Sequence, residues 1–283
     1  MIKLLFRARA WQNIVRAAYP ETRLKFRSAL GAYVAGVGVN SFLPARGGDV
    51  IKLYLVKRRM DEATYPTLGA TLVVETLFDF VVAGALMVWA LAIGVLPTHQ
   101  VYSRIPTVDW KFFLRHEQAT AIGIVILLVA VLVLALLARE RVDEFRNRVR
   151  RGFAVLRDPP RFFVGVAAPQ AVSWVFRLAS LFFFLRAFHV HASVHNALLV
   201  QVVDSLATLF PATPGGAGTK QGLIVYLFRH SAISRTALLA FSVGANIAIT
   251  VANLLMGLIA IGLMARTLSF KRLRSSAQAE QPA

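Results

Sequence analysis

The sequence predicts an all-α polytopic integral membrane protein. It should have about four full transmembrane helices and two opposed re-entrant, broken helical hairpins, arranged like an inverted repeat. Three observations carry that reading. First, 57% of the 283 residues are hydrophobic and only 16% are charged, against about a quarter charged in soluble domains. Second, several apolar runs are long enough to cross a bilayer. Third, two further apolar runs are interrupted by Pro and Gly, which do not hold a helix there. The absence of cysteine excludes disulfides, iron–sulfur clusters and thiol catalysis. Lys and Arg total 32 against 14 Asp and Glu, a formal charge of +18. In a membrane protein such an excess points to cytoplasmic loops and anionic lipid headgroups. It does not point to nucleic acid, because no compact basic domain is present.

The four full spans are 67–96, 120–138, 162–185 and 236–265. Residues 67–96 contain two charges, 162–185 one Arg, and the other two none. The 19 residues of 120–138 measure roughly 28 Å as a helix, close to the thickness of a hydrocarbon core. The broken elements are 28–56, split at SFLPARGGD, and 195–228, split at PATPGGAGTKQ. Their halves are too short to span comfortably, so each is expected to fold back as a hairpin or to line a polar cavity as a discontinuous helix. Pro44, Gly47 and Gly48 would form the first hinge, and Pro211, Pro214, Gly215, Gly216 and Gly218 the second.

Basic residues set the orientation. Seven Lys/Arg lie in 1–27, five in 46–59, eight in 139–161 and four in 266–274. These segments are expected to be cytoplasmic, so 28–56 enters and returns from the inside and 195–228 from the outside. Opposed broken elements are the arrangement expected of an inverted-repeat transporter. Both termini then face the cytoplasm. Residues 1–27 are expected to be a cytoplasmic interfacial segment. Trp11, Ile14, Val15, Ala18 and Tyr19 make one apolar face between arginines, as in a helix lying in the headgroup plane. Residues 28–266 form the transmembrane domain and 267–283 a disordered cytoplasmic tail. A second apolar stripe, including Phe145, Phe153 and Leu156, reads as a connector resting on anionic lipid.

Polar residues at membrane depth are the functional candidates. Glu75 and Asp79 share a helix face at i, i+4, where two carboxylates can bind a cation, share a proton or pair with an arginine. Arg177 lies near the middle of its span, and Asp204 is its expected partner. Arg46 and Asp49 sit in the first break, Lys220 and Gln221 in the second. Glycine lets the backbone bend sharply there, and a helix starting after a break aims its positive end at an anion. Both features suit a phosphate headgroup. Asn40, Asn246 and Asn253 are suited to hydrogen bonds between helices. The histidines of HVHASVH read as a solvated loop, since no carboxylate lies in that loop. No metal or cofactor is expected, and no motif of serine or metal hydrolases is present.

The order Asn40, Pro44-Ala-Arg46-Gly-Gly48-Asp49, Glu75-x-x-x-Asp79 and Pro211-x-x-Pro214-Gly215-Gly216-x-Gly218 resembles a known family. It is the flippase-like membrane family typified by the transmembrane part of lysylphosphatidylglycerol synthase, also called UPF0104. The resemblance covers roughly residues 10–265. It implies a bacterial inner-membrane protein that moves a lipid or lipid-linked compound between leaflets. The lipid would be an anionic or aminoacylated phospholipid, a hopanoid or a lipid-linked sugar. Asn40, Arg46, Asp49, Glu75, Asp79, Arg177, Asp204, Lys220 and Gln221 would contact it. Two positions depart from the family pattern: Thr76 stands where Arg is common, and Gln221 where Glu is frequent. The chain has no room for the aminoacyl-transferase domain, so it is expected not to be an enzyme. The alternative is a membrane subunit of a lipid-biosynthesis complex, with a biosynthetic enzyme as partner.

Overall fold

A computed structural model describes residues 2–43, 46–93, 139–209, 218–228 and 233–279. Among the described residues every regular element is helical. They are α1 (Ile2–Ala18), α2 (Phe26–Asn40), α3 (Gly47–Lys57), α4 (Tyr65–Ala92) and α5 (Arg139–Gly152), then α6 (Pro159–Ala187). α7 (Val194–Leu209), α8 (Thr219–Leu227) and α9 (Arg235–Ala279) complete the set. Three of them are long and apolar enough to cross a membrane: Tyr65–Ala90, Pro159–Ala187 and Arg235–Arg266. They correspond to three of the four expected spans. The fourth, 120–138, lies outside the described residues, as do Pro44, Pro211, Pro214, Gly215 and Gly216.

The apolar stripe of residues 1–27 is present, but it covers protein and not lipid. Trp11, Ile14 and Val15 are fully buried. α1 runs antiparallel to α6, with Ser173 Oγ donating to the Lys3 carbonyl (3.0 Å) and Asn13 Nδ2 to the Gly165 carbonyl (2.7 Å). The face expected to rest on lipid is therefore packed against other helices. An amphipathic face is equally satisfied by neighbouring helices, and periodicity does not distinguish the two. The Asn13 bond has a local cause. Pro169 has no N–H to offer the Gly165 carbonyl four residues earlier. The helix widens into a π turn at Phe163–Ala167, and a side chain from α1 supplies the missing donor.

α2 and α3 pack against each other as a hairpin. Gly48 N–H donates to Asn40 Oδ1 (2.7 Å), and Asn40 Nδ2 to Asp49 Oδ1 (3.1 Å), which ties the two helices across the break. Arg46 sits in the left-handed region, φ 58°, at the residue just before α3. α2 runs antiparallel along the end of α9. Gly31 faces the Met264 side chain, and a Cβ on Gly38 would lie 2.5 Å from Gly257 Cα. The crossing therefore brings backbone against backbone, as small residues permit. Gly38 also lies against the Asn253 carbonyl, and α9 continues from Asn253 to Arg235 for about 27 Å. The backbone of α9 also runs on to Ala279, into the segment expected to be a disordered tail.

Three apolar cores result, the smallest formed by Ala10 and Ile14 of α1, Val74 of α4, Val155, and Val166 of α6. One of the larger two gathers α1, α2 and α3, the start of α4 and Ala260 and Met264 of α9. The other gathers Leu181 and Leu185 of α6, α7, α8 and Leu238, Phe241 and Ala245 of α9, with Trp89 of α4 packed against it. Outside these cores the three long helices carry polar residues that include Glu75 and Asp79 on α4, Ser173 and Arg177 on α6, and Asn253 on α9.

Candidate functional site

This polar layer surrounds a cavity of about 270 Å³, lined from α1, α2, α3, α4, α6 and α9 and by Arg46 at the break. On one side stands a closed network. Glu75, 4% exposed, accepts from Lys52 Nζ at 2.6 Å through Oε2. Its Oε1 accepts from Tyr33 OH at 2.6 Å and from Arg7 Nη2 at 3.3 Å. One turn on, Asp79 takes the Arg7 guanidinium with both oxygens, at 2.6 and 3.0 Å. Trp174 Nε1 also donates to Asp79 Oδ1 (3.0 Å). Arg7 Nε donates to Tyr33 OH (2.7 Å). The Lys52 ammonium lies 4.1 Å from the Trp11 ring and 4.0 Å from the Tyr33 ring. Two cations, two carboxylates and two aromatic faces satisfy one another, as buried charge requires. The network joins α1, α2, α3, α4 and α6.

On the other side the arrangement is open. Asp204 of α7 binds Lys220 of α8, Nζ to Oδ1 at 2.6 Å. Arg177, the expected partner, stands 3.8 Å from Asp204 Oδ2, at the outer limit of an ion pair. Its guanidinium lies 5.2 Å from the Trp174 ring centroid. Asn40, Arg46, Asp49, Glu75, Asp79 and Arg177 all line the cavity. The Lys220–Asp204 pair adjoins it through Arg177. Gln221 instead turns back on its own helix, its Oε1 accepting from Gly218 N–H (2.6 Å), where Gly218 has φ 85°. Asn253 lines the cavity, whereas Asn246 accepts from Thr250 Oγ1 (3.2 Å). Among the described residues no three His, Cys, Asp or Glu side chains converge to hold a metal.

Sequence reasoning missed Lys3, Arg7, Tyr33, Lys52 and Trp174. Lys3, Arg7 and Lys52 were counted as topology signals, although Lys3 and Arg7 are four apart on one helix face. The absence of an arginine at position 76 leaves neither Glu75 nor Asp79 unpaired. Arg7 and Lys52 reach Glu75 from other helices, while Thr76 bonds the Val73 carbonyl (2.9 Å).

The sequence pattern of the family described as the lysylphosphatidylglycerol synthase TM region matches residues 1–257. A UPF0104 membrane protein of Methanothermobacter thermautotrophicus is 30% identical over 121 residues, 43% of this chain and 34% of the relative. The similarity thus spans about a third of that relative's length. A UPF0104 membrane protein of Methanocaldococcus jannaschii is 20% identical over 205 residues, 68% of this chain and 79% of the relative. No solved structure matches the chain. Three helices able to cross a bilayer and a membrane-protein family agree on a multi-pass membrane protein. The chain belongs to the family of the lysylphosphatidylglycerol synthase TM region.

Proposed function

We propose that this chain moves a lipid with an anionic headgroup between the leaflets of a bacterial cytoplasmic membrane. The headgroup passes through the polar layer while the acyl chains stay in the hydrocarbon. The observation that carries the reading is the cavity of about 270 Å³ with charged walls, of which Glu75, Asp79 and Arg177 stand on helices long enough to span. Ionisable residues at membrane depth mark substrate pathways by default. The α2–α3 hairpin supports the same reading: near the end of α2, Gly38 lies against Asn253 and Gly257, and α9 extends from there to Arg235. We read α2–α3 and α7–α8 as re-entrant elements entering from opposite faces, the architecture in which alternating access rocks one element against the other. Lipids are then the partners. No covalent step and no cofactor is needed.

Leaflet exchange in proteoliposomes tests the proposal. Purified protein is presented with labelled phosphatidylglycerol, phosphatidylethanolamine and phosphatidylcholine, with Arg177→Ala as the control. Exchange of an anionic lipid that the variant loses is the expected result. Exchange of none of them by folded protein, or equal exchange by Arg177→Ala, overturns it.

A further inference from the structure

The cavity's cations outnumber its carboxylates. Lys3, Arg7, Arg46, Lys52, Arg177 and Lys220 stand in or against its wall, facing Asp49, Glu75, Asp79 and Asp204. Arg7 and Lys52 are held by Glu75 and Asp79, and Lys220 by Asp204. That leaves Lys3, Arg46 and Arg177. Among the described residues no ion pair joins Lys3 to a carboxylate, although it lies within electrostatic reach of Arg177, Arg7, Lys220 and Asp204. Arg177 keeps only the 3.8 Å approach to Asp204, so an incoming anion can take its guanidinium without breaking a close pair. Asp49 is bound by the Asn40 amide, and Arg46, at the exposed rim, has its backbone held in the left-handed conformation.

We infer that the cavity receives a phosphate group carrying two negative charges, a phosphomonoester or a diphosphate, held by Lys3, Arg177 and Arg46. The inference rests on the transport reading and specifies the headgroup for it. Uncompensated charge in a low-dielectric wall is costly, and the excess among these ten side chains is two. A phosphodiester brings one charge and leaves the second cation unmatched. A zwitterionic or cationic headgroup corrects nothing. Arg177 offers a planar donor fork suited to two phosphate oxygens, and Lys3 a compact point charge beside it.

The test uses the full chain in phosphatidylcholine proteoliposomes at a pH where phosphomonoesters are doubly ionised. Labelled phosphatidic acid should exchange about tenfold faster than labelled phosphatidylglycerol. Lys3→Gln should erase that preference, lowering the phosphatidic acid rate more than the phosphatidylglycerol rate. Equal rates for the two lipids, or a preference that survives Lys3→Gln, overturns the inference and leaves transport standing. A second readout does not need transport: the fluorescence of Trp174, which lies beneath Arg177, with Trp174→Phe as the blank. A shift with phosphatidic acid in nanodiscs supports the headgroup assignment even if no lipid exchanges, in which case transport alone falls. A shift with sodium pyrophosphate in plain nanodiscs, and none with phosphatidic acid, assigns the site to a free phosphate compound. No shift with either overturns the site.

Discussion

Two charged clusters stand side by side in this molecule, built from the same residue types and differing in proportion. Around Glu75 and Asp79, cations and carboxylates are matched, every close pair is 3.3 Å or shorter, and aromatic rings close the gaps. Around Asp204, one carboxylate stands between Lys220 and Arg177, with Lys3 in electrostatic reach, and only Lys220 comes close. A matched cluster has nothing left to offer a ligand. Its effect is to hold five helices in register, because losing any member strands another in a low dielectric. An unmatched cluster is a poor fastener and a ready receptor. The difference separates frame from site within a single polar layer.

The sharpest way to break the comparison is Glu75→Gln. It leaves Lys52 and Arg7 without their shared carboxylate. Such a loss typically destabilises by about 3–5 kcal/mol. The melting temperature in detergent and the monodisperse fraction on size-exclusion chromatography should both fall steeply. Adding Lys52→Met should restore much of the loss, since it removes the stranded charge. A Glu75→Gln protein that melts like the parent would mean that the first cluster is not a fastener.

Gly38→Ala comes next. The new Cβ would meet Gly257 Cα at 2.5 Å, backbone that cannot rotate aside, so α2 must move off α9. Overpacking of this kind costs about 1–3 kcal/mol. Since α2 also carries Tyr33 and Asn40, lipid exchange should fall together with stability. Separate losses would place the seam outside the site's support. A smaller effect is expected from Gln221→Ala, which removes the acceptor for Gly218 N–H. Loss of a helix cap costs about 1 kcal/mol. The melting shift should be slight. Any loss of exchange would then reflect loosening of α8, the helix that holds Lys220 against Asp204.

How much of this was legible in the sequence follows from what each signal measures. Hydropathy marks lipid-compatible length, so 67–96, 162–185 and 236–265 were found as spans. The break LPARGGD was found because Pro and Gly are local signals, and Asn40, Arg46 and Asp49 with it. The i, i+4 spacing found Glu75 and Asp79 but not their partners. Arg7 comes from 68 residues away and Tyr33 from 42, and no local pattern encodes which helix will lie opposite. Counting basic residues for orientation hid Lys3, Arg7 and Lys52, because that count treats every Lys or Arg near a span as a loop charge. The stripe on α1 shows the same limit: it reports an apolar face and not what covers that face. Arg177 was paired with Asp204 by depth alone, which cannot foresee that Lys220 would take the carboxylate first.

The smallest expected change in stability, and a large one in function, belongs to Arg177→Gln. The side chain is a third exposed, and its approach to Asp204 is 3.8 Å. Exposed or loose pairs of this kind contribute within about 1 kcal/mol. Asp204 keeps Lys220 at 2.6 Å, so removal of the guanidinium strands no carboxylate. The variant should therefore express and melt close to the parent. Its lipid exchange should nonetheless drop by about tenfold or more, because the fork that meets the phosphate is gone. Arg177→Lys separates charge from geometry: it should recover part of the rate if the site needs only a cation, and little if it needs two parallel donors. Glu75→Gln losing stability first and Arg177→Gln losing exchange alone would be the double dissociation that the two clusters imply. A melting temperature for Arg177→Gln as low as that of Glu75→Gln would make both clusters frame, and the phosphate site would have to lie elsewhere on the molecule.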